Sequence, residues 1–92
     1  MILHFKCRDT QRLFEQKSVA RFAGIEKVAL RKLAQLHAAH SLSFLSHPPG
    51  NRLHALQGDR NGQYSLRVND RWRICFVWNA GEVTEVEIVD YH

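Results

Sequence analysis

The chain has little cysteine, little proline and no long apolar run, and each shortage removes a class of protein. Its two cysteines, Cys7 and Cys75, stand far apart with neither a CxxC pair nor metal-type spacing, so no zinc knuckle or dithiol redox motif is present. The two prolines are adjacent, Pro48 and Pro49, which leaves the rest of the chain free to form regular structure. No apolar stretch approaches the roughly 20 residues that a membrane-spanning helix needs, and no membrane partner is expected. Residues 1–6, MILHFK, lack the charged leader and long apolar segment of a secretory signal. The expectation is therefore a cytoplasmic protein with two reduced, partly buried thiols. Basic residues are missing from one end: no lysine or arginine follows Arg73.

What remains is a globular composition, 45% hydrophobic over 92 residues, enough for one domain, residues 1–92, with one modest core. The charge is divided along the chain. Residues 1–73 hold all 13 basic residues against five carboxylates, and residues 74–92 hold the other four carboxylates. A basic body points to a polyanion such as RNA, although an ordinary solvated surface has the same composition. The acidic end speaks against a uniformly adhesive binder.

Hydrophobic spacing predicts an α+β fold. Residues 2–6 read as a short strand. Asp9 or Thr10 is expected to cap a short helix reaching Glu15, with Leu13 and Phe14 inward. Residues 17–24 form a connection. Residues 25–39 make the clearest helix, with Ile25, Val28, Ala29, Leu33 and Leu36 on one side and Lys27, Arg31, Lys32 and Gln35 largely on the other. Residues 40–51 are expected to be loop. The period then changes to two: strands at 52–56, 63–68, 71–78 and 82–89, separated by turn residues at 57–62, 69–70 and 79–81. On the 71–78 strand Trp72, Ile74, Phe76 and Trp78 point one way and Arg71, Arg73, Cys75 and Val77 the other. Two N-terminal helices should therefore pack on one face of a mainly antiparallel sheet.

The second face is where chemistry could sit. Arg73 is central on its strand, Arg67 shares its orientation on the neighbour, and His54 is opposite in direction to Leu53. A last strand beside the 71–78 strand would bring Asp90, Tyr91 and His92 near Arg73. This rests on alternation, and a slip of one residue would reverse every side chain. Such a set suits phosphodiester cleavage by an adjacent 2′-hydroxyl. One group takes the 2′ proton, a cation stabilises the phosphorane, and an acid protonates the leaving 5′-oxygen. His, Asp and Tyr can share the proton transfers, and the fork of Arg73 suits the phosphate. Nothing in that scheme requires a metal or another cofactor. Blander readings stand beside it: Arg73 as a solvated cation or a partner of Glu85, Glu87 or the terminal carboxylate, His54 as a surface histidine, and the last three residues as a frayed end. His54, Asp90 and His92 could also ligate a metal, with spacing that is weak for one.

Three segments go further: GNRLHALQGDR at 50–60, GQYSLRVNDRWRICF at 62–76 and VEIVDYH at 86–92. With the Phe5 strand and the Leu13-Phe14-Glu15 helix, they make the whole chain resemble HigB toxins, a branch of the RelE superfamily of ribosome-dependent mRNA endonucleases. The family pattern is L-x-x-L-x-G-(D/N)-R, then G-x-x-S-(I/L)-x-V-x-x-x-W-R-(I/L)-x-F, then a terminal D-Y-H. The resemblance implies a RelE-like fold and cleavage of mRNA in the ribosomal decoding site. It implies an active site of Arg73, Asp90, Tyr91 and His92 with His54 beside them. Arg73 would stabilise the phosphate, Asp90 or His92 would move protons, Tyr91 would orient or stack, and His54 would assist as a base. Gln57 stands where some members carry lysine, so a second cation is missing there, and Arg60, Arg67 or Arg71 could compensate. Lys27, Arg31 and Lys32 on the long helix form a candidate face toward ribosomal RNA, or else a solvated helix face.

The resemblance also implies a partner, a HigA-type helix-turn-helix antitoxin that dimerises and represses the shared operon, so operator DNA would be met only through it. An alternative remains, a RelE-like module that binds RNA or antitoxin without cutting and serves in autoregulation. Deleting Tyr91 and His92 separates site from scaffold, because terminal residues bury little core. The truncated chain should lose its arrest of cell growth on induced expression while melting at the same temperature. Toxicity that survives the deletion would remove these residues from the site.

Overall fold

A computed structural model describes residues 1–90. It contains helices α1 (Arg8–Phe14), α2 (Glu26–Ala38) and α3 (Leu42–Leu45), followed by strands β1 (His54–Ala55), β2 (Gln63–Arg67), β3 (Trp72–Asn79) and β4 (Glu82–Asp90). The strands form one antiparallel sheet in the order β1-β2-β3-β4. Single 3₁₀ turns occur at Ala20–Phe22, Pro49–Asn51 and Gly58–Arg60. No described helix is long and apolar enough to cross a membrane.

The core lies between the helices and one sheet face. Leu13, Phe22, Ala29, Leu33, Leu36 and Leu45 meet Leu66, Ile74, Phe76, Val83, Val86 and Ile88, all of them buried. Ala29, Leu33 and Leu36 recur at helical spacing, which is why α2 forms with one apolar stripe and why that stripe joins the core. Val28, expected with them, is only half-buried at the edge of that stripe.

The N-terminal segment differs from the expected strand. Ile2 and Phe5 make isolated parallel bridges to Val83 and Val86, and main-chain hydrogen bonds of 2.8–3.3 Å join residues 1–6 to the outer edge of β4. An edge with unpaired N–H and C=O groups is thereby covered.

Neither Asp9 nor Thr10 caps α1, which begins at Arg8 behind Cys7. The Thr10 hydroxyl is buried and accepts the Ile88 N–H at 3.0 Å, tying α1 to β4, while Asp9 faces Arg21 at 3.4 Å.

The last strand carries a bulge that alternation alone does not reveal. Cys75 faces Glu87 and Val77 faces Thr84, so Phe76 is opposed by two residues, Glu85 and Val86. Glu85 takes a left-handed backbone, φ 55°. The extra residue resets the alternation, and Val83, Val86 and Ile88 all reach the core despite their uneven spacing.

The expected loop at 40–51 contains α3, capped by Ser41, whose Oγ accepts the Phe44 N–H at 3.2 Å. Past α3 the chain is held by a buried polar hub. The fully buried Asn51 accepts a hydrogen bond from Lys32 and donates from Nδ2 toward Leu45 O, His47 O and Gln35 Oε1, each at 3.0 Å. Lys32 thus lies inside the fold, 8% exposed, and does not share the solvent face of α2 expected for it. Burial, then the charges of Arg31 and Arg67, pulls its pKa down. The Asn51 oxygen gives its ammonium an acceptor there, since a buried charge without a partner is costly. Replacing Asn51 with alanine removes that acceptor. Asn51→Ala should cost about 2–4 kcal/mol, read as a lower urea midpoint at unchanged slope. A loss below about 0.5 kcal/mol, the size of an ordinary surface change, would show that the hub contributes no cohesion.

Candidate active site on the outer sheet face

Strand register defines what shares the face away from the helices. His54 faces Ser65, Ser65 faces Cys75, and Cys75 faces Glu87, one row across all four strands. The adjacent row is Arg67, Arg73 and Val89. The alternation expected for β2 and β3 therefore holds, and His54, Arg67 and Arg73 lie on one face. Among the described residues no α-helix covers it, yet Ser65 and Cys75 are fully buried. They lie among long charged side chains. Arg60 reaches from its 3₁₀ turn to Glu87 at 3.1 Å and to Gln63 Oε1 at 3.2 Å, and Lys6 approaches Glu87 at 3.4 Å.

Arg73 is fixed at two points. Its Nε donates to Ser65 Oγ at 2.9 Å and its Nη2 to the Arg52 carbonyl at 2.7 Å. Glu87, one of the carboxylates considered as its partner, binds Arg60 and Lys6. Arg67 pairs with Asp70. His54 is exposed on the edge strand.

Asp90 departs from the simple picture. It stands opposite Trp72, so the alternation places it with the Trp72 row and one pleat from Arg73. Its Oδ2 accepts from Arg71, Nε at 2.9 Å and Nη2 at 2.8 Å. That hydrogen bond, with the Coulomb attraction behind it, raises the Arg71 pKa further. The Arg71 guanidinium also lies 5.4 Å from the Trp72 ring centroid, and Arg21 lies 5.9 Å from the same ring. Tyr91 and His92 fall outside the described residues.

Of the other residues expected to meet RNA, Gln57 is exposed just before the Gly58–Arg60 turn, and Lys27 and Arg31 are exposed on α2. Lys32 is the exception, buried against Asn51. Among the described residues no three His, Cys, Asp or Glu side chains converge as they would around a metal ion. Two participants were not foreseen from the sequence: Ser65, and the main chain of Arg52. Ser65 was detectable as a small polar residue in phase with Arg67. A carbonyl contributed by a left-handed residue after a Pro-Pro-Gly turn leaves no side-chain signal.

Residues 3–92 match the sequence model of a family described as the RelE-like toxin of type II toxin–antitoxin system HigB. The chain is 39% identical to Toxin HigB-1 of Vibrio cholerae serotype O1 over 83 residues, covering 88% of this chain and 87% of that protein. It is 42% identical to Endoribonuclease HigB of Proteus vulgaris over 41 residues, 45% of each chain. Its fold matches a chain in the heterotetrameric YoeB-YefM toxin–antitoxin complex from Staphylococcus aureus with a TM-score of 0.63, at 17% identity, over 100% of this chain and 95% of that one.

Burial, ahead of the opposing charges of Arg60 and Arg73, raises the pKa of the Cys75 thiol above its ordinary 9.0. The folded protein holds that proton to higher pH than the unfolded chain does. The corresponding stability is complete below about pH 9 and is lost as pH rises through the folded value. Cys75→Ala should therefore flatten the alkaline limb of the stability curve measured by urea unfolding from pH 7 to 10. An identical limb in the variant would show that Cys75 is not held protonated by the fold.

Proposed function

The chain belongs to the HigB family of RelE-like toxins of type II toxin–antitoxin systems, and on that footing we propose that it is a metal-independent endoribonuclease that cuts messenger RNA in the ribosomal decoding site. The single observation that carries this reading is the doubly anchored Arg73, on the same face as His54 and beside the strand that ends at Asp90. A cation held at two points loses little freedom when a phosphate arrives, and preorganised charge is the most effective kind of transition-state stabilisation.

In the proposed reaction the 2′-hydroxyl attacks the adjacent phosphorus after giving its proton to a base. Arg73 stabilises the charge on the phosphorane. An acid protonates the departing 5′-oxygen, which leaves a 2′,3′-cyclic phosphate and a 5′-hydroxyl. Asp90 or His92 moves the protons, Asp90 by exchanging its Arg71 contact for the RNA, Tyr91 orients or stacks on a base, and His54 is an auxiliary base. Gln57, Arg60, Arg67 and Arg71 line the path of the RNA, with Lys27 and Arg31 turned toward ribosomal RNA. The ribosome supplies the in-line geometry that so sparse a set of groups does not supply alone. The partner is a HigA-type helix-turn-helix antitoxin in the cytoplasm, through which alone the chain meets operator DNA.

A second reading has specific support. The Asp90 carboxylate is bound by Arg71 and Gln57 brings no charge, as in a module that binds RNA or antitoxin without cutting. Primer extension on a reporter mRNA in a purified translation system separates the two. The wild type should cut within the reading frame only when ribosomes are present. Arg73→Ala should lower cutting about 100- to 1,000-fold without loss of fold. A folded wild type that does not cut would favour the binding module, and equal cutting of naked RNA would make it a free nuclease.

A further inference from the structure

The orientation of Arg73 is set by a carbonyl that belongs to no strand. Arg52 adopts the left-handed backbone, φ 45° and ψ 58°, and in that conformation its C=O receives Arg73 Nη2 at 2.7 Å. A non-glycine residue reaches this region against a steric penalty, so something must hold it there. The Arg52 side chain is exposed. The residue before it is fully buried and hydrogen-bonded through both ends of its amide. Asn51 closes the 3₁₀ turn through its N–H to Pro48 O at 2.9 Å, and its buried side chain is bound by Lys32 and Gln35 of α2 and by the carbonyls of Leu45 and His47. The Arg52 N–H then bonds Pro49 O at 3.1 Å.

We propose that Asn51 and the left-handed main chain of Arg52 are positioning residues for Arg73: the polar hub fixes residue 51, residue 51 fixes the backbone of residue 52, and the Arg52 carbonyl sets the plane of the guanidinium. Ser65 holds the near end of the fork and Arg52 the far end, so the plane has no freedom to rotate about its long axis. The inference rests on the reading of Arg73 as the group that receives the scissile phosphate. It assigns to buried Lys32 and half-buried Gln35 a share in that geometry without contact with RNA.

A pair of substitutions isolates the backbone from the charge. Arg52→Gly and Arg52→Val both remove an exposed guanidinium. Glycine occupies the left-handed region without penalty, and the β-branched valine resists it. Two readouts apply to each, with thermal melts confirming the fold. The first needs no RNA. The ¹⁵N resonances of the Arg73 guanidinium should be distinct in the wild type and in Arg52→Gly, because the bond to the carbonyl slows rotation about Nε–Cζ, and averaged in Arg52→Val. The second is the cleavage rate on programmed ribosomes. It should be about tenfold lower in Arg52→Val than in Arg52→Gly, with KM unchanged, as for a small misplacement of a catalytic group.

In an Arg73→Ala background that difference should vanish, since two residues acting through one group are not additive. Asn51→Ala should copy the Arg52→Val spectrum if it folds, and the residue 52 pair decides the matter if it does not. Equal spectra and equal rates for Gly and Val would overturn the proposal, as would a rate difference that persists without Arg73. If the wild type cuts no mRNA the functional reading falls, while the guanidinium spectra still decide whether residue 52 orients Arg73.

Discussion

A sheet has two faces, and in this fold helices cover only one of them. The second must be closed by other means, because Ser65 and Cys75 on it are fully buried. The lid is a layer of charged side chains, Arg73 against Ser65 and Arg60 against Glu87 and Gln63. Charged groups over a buried surface are tolerated only when their donors find acceptors, and that requirement fixes their positions. The same fixity is what a phosphate-binding site requires. The means by which the fold closes its second face and the means by which it could stabilise a phosphorane are thus one set of hydrogen bonds.

The rest of the architecture brings chain ends and loops to that layer. The bulge at Glu85 allows Val83, Val86 and Ile88 to share the core, so β4 stays paired with β3 along its length and delivers Asp90 beside Trp72. The N-terminal segment covers the free edge of β4 and sends Lys6 to Glu87. On the opposite edge β1 has only two residues, too few to specify its own position. The hub around Asn51, with Lys32 of α2 among its partners, anchors the chain just ahead of it. Membership of the HigB toxin family gives this arrangement its biological setting.

Much of this was legible in the sequence. The periods of 3.6 and 2 located α2, β2, β3 and β4 to within one or two residues, and alternation placed His54, Arg67 and Arg73 on a common face. The terminal D-Y-H and the W-R-I-x-F segment carried the family. What escaped was determined by tertiary contact. The bulge depends on which residues the core accepts. The short α3 lies in a segment whose prolines masked it. Lys32 stands three residues after Ala29 and four before Leu36, so helical phase puts it on the buried stripe; its charge suggested solvent, and the buried Asn51 is the partner that lets a lysine stay there. Asp90 was expected near Arg73 and stands one pleat away, held by Arg71, because the alternation of β4 continues from its bulge to its end.

The central claim is that Arg73 and its neighbours drive attack by the RNA's own 2′-hydroxyl. The chemistry of the cut ends tests it most directly. RNA cleaved on purified ribosomes can be labelled by polynucleotide kinase and its upstream fragments analysed by mass spectrometry. The account predicts downstream fragments that accept label without prior phosphatase treatment, since they begin with a 5′-hydroxyl, and upstream fragments that end in a 2′,3′-cyclic phosphate or its hydrolysis product. Downstream fragments carrying a 5′-phosphate would mean that water, and not the 2′-hydroxyl, attacks the phosphorus. The site described here would then perform a different reaction.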